Sequence, residues 1–136
     1  MTAFIQPLGR MMLAFIFILA GVGKIMDPAG TMGYMQSAGL PTILLWPTIA
    51  LEVLGGLAVA VGFKTRYAAF ALAAFSILAA IIFHTNFADQ MQMILFLKNI
   101  AMAGGLLLLA VGGKTAFSID NRRTKTDFFG TRQEKR

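Results

Sequence analysis

The chain contains no cysteine and only one histidine. Without cysteine it can form no disulfide, thiolate nucleophile, iron–sulfur cluster or cysteine-based zinc site of its own. A single histidine cannot supply both axial ligands of a bis-histidine haem. The sequence therefore offers no metal centre, and we expect none.

Charged residues are also scarce, at 13% of the chain, whereas 57% of the residues are hydrophobic. A usual soluble domain is about 25% charged and roughly 45–50% apolar. A soluble chain of 136 residues could not bury so much apolar surface, and this length allows one domain.

The net charge of +6 indicates an anionic partner. Because most basic residues flank apolar segments or follow the last one, we expect membrane lipid and not nucleic acid.

Four apolar segments are each about long enough to cross a hydrocarbon core of roughly 30 Å as a helix: residues 7–26, 42–62, 67–83 and 91–111. Backbone groups in lipid must pair within their own segment, so helices are favoured. The sequence thus predicts an all-α membrane protein: an antiparallel bundle of four transmembrane helices in residues 1–113, then a basic cytoplasmic tail, 114–136. The connection 27–41 is predicted to be a short amphipathic segment on the membrane surface.

The distribution of basic residues predicts the orientation of the bundle. Arg10, Lys64, Arg66 and the lysines and arginines of the tail fall on one side of a four-span chain, whereas Lys24 alone falls on the other. Basic residues favour the cytoplasmic side. Both termini are therefore predicted to be cytoplasmic in a bacterial inner (plasma) membrane.

Several charged residues lie within the spans, where they are costly. An unpaired ionised Glu52, near the middle of its span, costs roughly 3 kcal/mol, so it requires a partner. Lys98 is the first choice and Arg10 the second. Only about 20 Å of helix separates Arg10 from Lys24, so these two cannot both lie outside the hydrocarbon core, and one or both must point inward or snorkel.

Helical spacing places these charges on stripes with small residues. Small residues let helices approach closely, which favours the bundle interior for each stripe. The stripes are Arg10, Ala14, Phe17, Gly21 and Lys24; Glu52, Gly55, Gly56 and Val59; Ala73, Ser76, Ala80 and His84; and Lys98, Met102, Gly105 and Leu109.

Motifs along the chain point to a family. They are Arg10, Ala20-Gly21-Val22-Gly23-Lys24, Gly39-Leu40-Pro41, Glu52 with Gly55-Gly56, the turn 62–66, His84, the run 96–107, and Gly112-Gly113-Lys114 leading to Ser118-Ile119-Asp120. In this order they resemble the DoxX family of small bacterial membrane proteins, although Ile119 replaces the usual leucine. The resemblance implies a four-helix membrane protein. Some members are linked to assemblies such as thiosulfate:quinone oxidoreductase, which implies a redox-protein partner that would have to carry any thiol relay.

Three functions remain open at this stage. In the first, the chain is a binding or accessory subunit, not catalytic alone, in which Glu52, Lys98, Asn99, Lys24 and His84 form a ligand-binding cluster for a quinone-like or other small amphipathic molecule. In the second, it is a proton-coupled transporter that uses Glu52 as the proton carrier, which requires a homodimer because four spans are few. In the third, it is a structural or assembly protein whose charges, Arg10 among them, fix the helix packing.

Overall fold

The computed structural model describes residues 2–113 and 117–121. Its elements are α1 (Thr2–Met26), α2 (Pro28–Ser37), a 3₁₀ helix (Thr42–Leu44), α3 (Leu45–Val61), α4 (Thr65–Phe83) and α5 (Gln90–Val111). Four stretches are long and apolar enough to span a membrane: Ala3–Met26, Thr42–Val61, Thr65–Phe83 and Gln90–Val111. The described part of the chain contains no strand. The prediction of an all-α membrane protein with four spans is therefore confirmed.

The helix ends follow from local sequence chemistry, with one difference from the prediction. α1 begins at Thr2, five residues before the predicted span, and encloses Pro7. Pro47 falls in the first turn of α3, where a missing N–H is tolerated. α3 ends at Gly62, whose left-handed backbone (φ 70°) closes the helix as glycine readily does.

The helices pack as a chain of neighbours. α1 packs closely against α3, α4 packs closely against α5, and α3 joins the two pairs through α4. α1 and α5 make few contacts with each other. The bundle is thus tightly packed between α1 and α3 and between α4 and α5, less closely packed between α3 and α4, and loosely packed between α1 and α5.

Burial confirms the interior stripes predicted for the first three spans. Ala14, Phe17, Glu52, Val59 and Ser76 are all buried. The outward faces carry large exposed apolar side chains, as contact with lipid requires.

The stripe predicted for the fourth span is wrong. The buried residues of α5 are Ala103, Leu106 and Ala110, whereas Lys98 is exposed and Met102 is half-buried. The reason is that α5 packs mainly against α4 and makes few contacts with α1. The predicted face therefore borders the loose α1/α5 seam.

The connection after α1 folds as helix α2 across one end of the bundle. Asp27 caps this helix by accepting a hydrogen bond from the Gly30 N–H at 3.0 Å. The Tyr34 ring stacks on Phe83 with centroids 4.9 Å apart, and Met35 is buried in a small apolar cluster. We call this the α2 end.

The opposite end of the bundle is closed by residues 117–121. Arg10 Nη2 donates to the Phe117 carbonyl at 2.9 Å. The Asp120 carboxylate accepts from Lys64 N–H at 2.8 Å, Thr65 N–H at 3.0 Å and Thr65 Oγ1 at 2.8 Å. Asp120 thus caps the start of α4 from a distant part of the chain. The rest of the predicted basic tail, 114–116 and 122–136, lies outside the described residues.

Candidate ligand site

A cavity of about 750 Å³ lies at the α2 end, walled by residues of α1 to α5 and the 3₁₀ helix. This volume is within the roughly 300–1,000 Å³ of typical ligand sites. The lining includes all five residues of the predicted cluster, namely Lys24, Glu52, His84, Lys98 and Asn99. We call it the α2-end cavity.

Glu52 is held by Lys24. The Lys24 ammonium donates a hydrogen bond to Glu52 Oε1 at 3.0 Å and lies 2.9 Å from Oε2. The contact to Oε2 is ionic and lacks hydrogen-bond geometry, so that buried oxygen still has acceptor capacity. The Glu52 side chain is 4% exposed and that of Lys24 is 25% exposed, so the pair is largely removed from solvent. It ties α1 to α3.

The prediction that Glu52 has a partner is confirmed, but the predicted partners, Lys98 and Arg10, are wrong. Lys98 belongs to α5, which packs on α4, and Arg10 lies at the opposite end of the bundle. α1 reaches α3 closely because of Gly21, where an added Cβ would meet the Glu52 Cβ at 3.3 Å. Lys24, one turn further along α1, is therefore within reach of the carboxylate.

Lys98 has no counterion among residues 2–113 and 117–121. Its side chain is exposed and lines the α2-end cavity. The neighbouring Asn99 donates from Nδ2 to the Leu95 carbonyl at 2.9 Å, within α5. This bond leaves the Asn99 side-chain oxygen as a hydrogen-bond acceptor.

His84 lies directly after α4, and its Nδ1 is 3.0 Å from Gln92 Oε1. With the amide oxygen assigned to face the ring, Nδ1 carries the hydrogen and Nε2 is left as an acceptor. The ring is thus oriented by α5. Among residues 2–113 and 117–121, Nε2 has no hydrogen-bond partner.

The sequence analysis missed the contribution of α2 and the 3₁₀ helix to this cavity. Asp27, Thr31 and Tyr34 at α2 add polar groups to the lining, and Leu44 of the 3₁₀ helix adds an apolar one. A surface segment was predicted here, although the adjacent Tyr34 and Met35 were a signal that it packs inward. No group of three or more potential metal ligands occurs in the described ranges.

The fold and the site define a small integral membrane protein with four spans, an interior ion pair and a cavity that several polar side chains line. The DoxX family model matches residues 6–85, more than half of the chain. The chain belongs to the DoxX family.

Curated relatives agree with this assignment. The chain is 45% identical over 116 residues to the inner membrane protein YqjF of Escherichia coli, covering 85% of this chain and 89% of that protein. It is 37% identical over 122 residues to the inner membrane protein YphA of the same organism, covering 85% and 87%. A shorter match, 33% over 57 residues and 42% of each chain, is to the putative oxidoreductase CatD of Bacillus subtilis. No solved structure matches significantly. The protein is an integral inner-membrane protein of this family.

Proposed function

We propose that the protein is an accessory subunit of a quinone-linked membrane redox system and that it binds a quinone-like molecule in the α2-end cavity. The observation that carries this proposal is the convergence of Lys24, Glu52, His84, Lys98 and Asn99, from four helices, on one cavity inside an otherwise apolar bundle. Polar and ionisable groups at such depth mark functional sites by default. The putative oxidoreductase CatD, to which part of the chain is similar, gives the redox association further support.

The polar groups of the cavity are matched to the oxygens of a quinone. A quinone carbonyl accepts hydrogen bonds, which the Lys98 ammonium is free to donate. A quinol hydroxyl donates, and His84 Nε2 and the Asn99 side-chain oxygen are unused acceptors. The apolar remainder of the lining, which includes Phe17 and Phe75, suits an aromatic ring.

Thermal unfolding of the protein in mild detergent, with and without a short-chain quinone, tests the proposal. Ligand at about a hundred times its dissociation constant stabilises the folded state by about 2.7 kcal/mol. We expect the wild type to gain stability, and His84→Ala and Asn99→Ala to lose most of this gain while keeping a nearly unchanged ligand-free melting temperature. Asn86→Ala, a polar change on an exposed loop, serves as the matched control.

One observation favours a second function, a structural or assembly role. The Lys24–Glu52 pair joins α1 to α3 and could serve packing alone. The same experiment separates the two. If no quinone stabilises the wild type, or if His84→Ala and Asn99→Ala destabilise the empty protein as much as they weaken binding, the structural role replaces the binding role.

The proposal includes an orientation in which the α2 end faces away from the cytoplasm and both termini face the cytoplasm. It rests on the distribution of basic residues described above. Reporters inserted within residues 63–66 or fused after Arg136 should read cytoplasmic, and one within residues 88–90 should read external. A cytoplasmic reading at 88–90 would contradict the orientation.

A further inference from the structure

A second depression, of about 540 Å³, lies between α1 and α5. Its walls are mostly apolar and include Ile5, Gly9, Met12, Leu13 and Gly105. We call it the α1/α5 groove. It exists because these two helices make few contacts and because a glycine contributes to each wall.

The groove adjoins the α2-end cavity, with shared residues between them. Ile16, Lys98 and Met102 line both spaces. From this junction the groove follows α1 from Ile16 back to Ile5, eleven residues or about 16 Å of helix. It therefore leads from the cavity along about half of a hydrocarbon core toward the opposite leaflet.

Lys98 marks the junction with a positive charge. It is the ninth residue of α5, about 12 Å from the start of that helix and well within the span. Within the described ranges its side chain has neither a hydrogen bond nor an ion pair. A cation at this depth is costly unless an electron-rich group lies beside it.

The transmembrane spans of a second copy of the chain would offer Lys98 no unpaired carboxylate. The four spans contain one acidic residue, Glu52, which is buried and already paired with Lys24. An amphipathic molecule provides it readily, because its oxygen-bearing head can meet Lys98 while its chain follows the apolar walls.

Building on the proposed function, we propose that the ligand is a long-chain membrane quinone. Its ring lies in the α2-end cavity, a ring oxygen accepts a hydrogen bond from Lys98, and its hydrocarbon chain lies in the α1/α5 groove. The protein thereby selects membrane-resident quinones over chainless ones, and the loose seam is where the ligand enters from the bilayer.

Three glycines allow a matched test. An added Cβ meets nothing within 4 Å at Gly9 in the groove, at Gly23 in the cavity, and at Gly104, which is exposed and lines neither space. Gly9→Leu fills the groove, Gly23→Leu fills the cavity, and Gly104→Leu is the control. Binding of a long-chain quinone and of the same quinone ring without a chain is measured by thermal shift in one detergent, so that micelle partitioning is constant across variants.

We expect Gly9→Leu to weaken binding of the long-chain quinone by about tenfold or more, and to leave binding of the chainless ring unchanged. Gly23→Leu should weaken both, and Gly104→Leu neither. The ligand-free melting temperature of each variant verifies folding.

The outcomes separate this inference from the function on which it rests. If the wild type binds neither quinone, the proposed function fails and this inference fails with it. If the wild type binds both and Gly9→Leu leaves the long-chain quinone unaffected, the chain lies elsewhere, and only this inference is overturned. If Gly9→Leu instead converts a dimer to a monomer in light scattering without affecting quinone binding, the groove is a subunit interface and the inference is likewise overturned.

Discussion

Removing one partner of the Lys24–Glu52 pair should destabilise the bundle, and by unequal amounts for the two partners. Lys24→Met leaves a carboxylate whose side chain is 4% exposed, whereas Glu52→Gln leaves an ammonium that is 25% exposed and can turn toward the cavity opening. The isolated carboxylate is thus the more deeply desolvated charge.

Breaking a buried ion pair by removing one partner typically lowers the free energy of unfolding by about 3–5 kcal/mol. Because Lys24→Met leaves the buried Glu52 carboxylate unpaired, we expect its cost to fall within that range. Partial exposure of Lys24 reduces the cost of Glu52→Gln to about 2 kcal/mol, since solvent screens the remaining charge. The double variant, which leaves neither charge alone, should recover about 1–3 kcal/mol of the summed losses.

The assay is reversible chemical unfolding in detergent micelles, carried out as a double-mutant cycle. Lys98→Met provides the matched control, because it removes a lysine that also lines the cavity but is not paired with Glu52. Its effect should add to that of Glu52→Gln without coupling. Additivity between Lys24 and Glu52, or coupling of Glu52 to Lys98 instead, would refute the pairing on which this reasoning depends.

Two further predictions concern the packing of the bundle, both measured by the same unfolding assay. Asp120→Ala removes the cap of α4 and should lower the free energy of unfolding by about 1–2 kcal/mol. Asp120→Asn keeps one acceptor oxygen and should lower it less. Equal losses for the two variants would mean that the cap contributes little. Gly56→Ala places a Cβ 2.8 Å from Ile18 Cγ1, which should cost about 1–3 kcal/mol, while Gly104→Ala, in open space, should be neutral or stabilising by up to about 1 kcal/mol. Similar effects at the two glycines would contradict the close approach of α1 and α3.

The sequence was sufficient to predict the spans because the bilayer sets both their length and their composition. It also predicted residues that line the cavity, since a charged group at membrane depth must face the bundle interior or snorkel. All five residues of the predicted cluster line the cavity. The same reasoning predicted the buried faces of the first three spans.

The sequence could not predict which helices are neighbours, and the errors at Lys98 and at the buried face of α5 have that origin. Lys98 was chosen as the partner of Glu52 on depth alone, but α5 packs against α4 and cannot bring it to α3. The same unknown misplaced the buried face of α5. The role of Asp120 was equally hidden, because its partners Lys64 and Thr65 are more than fifty residues away in sequence.

The segment 117–121 links the two helix pairs of the bundle at one end. The α1/α3 pair and the α4/α5 pair meet at the α3/α4 contact, so a wider seam between α1 and α5 would mean a larger angle between the two pairs. Residues 117–121 bind the first pair through Arg10 of α1 and the second pair through Thr65 of α4. A chain truncated before residue 117 would keep all four spans and lose this restraint, so the cytoplasmic terminus proposed for this protein would govern how widely its lipid-facing seam can open.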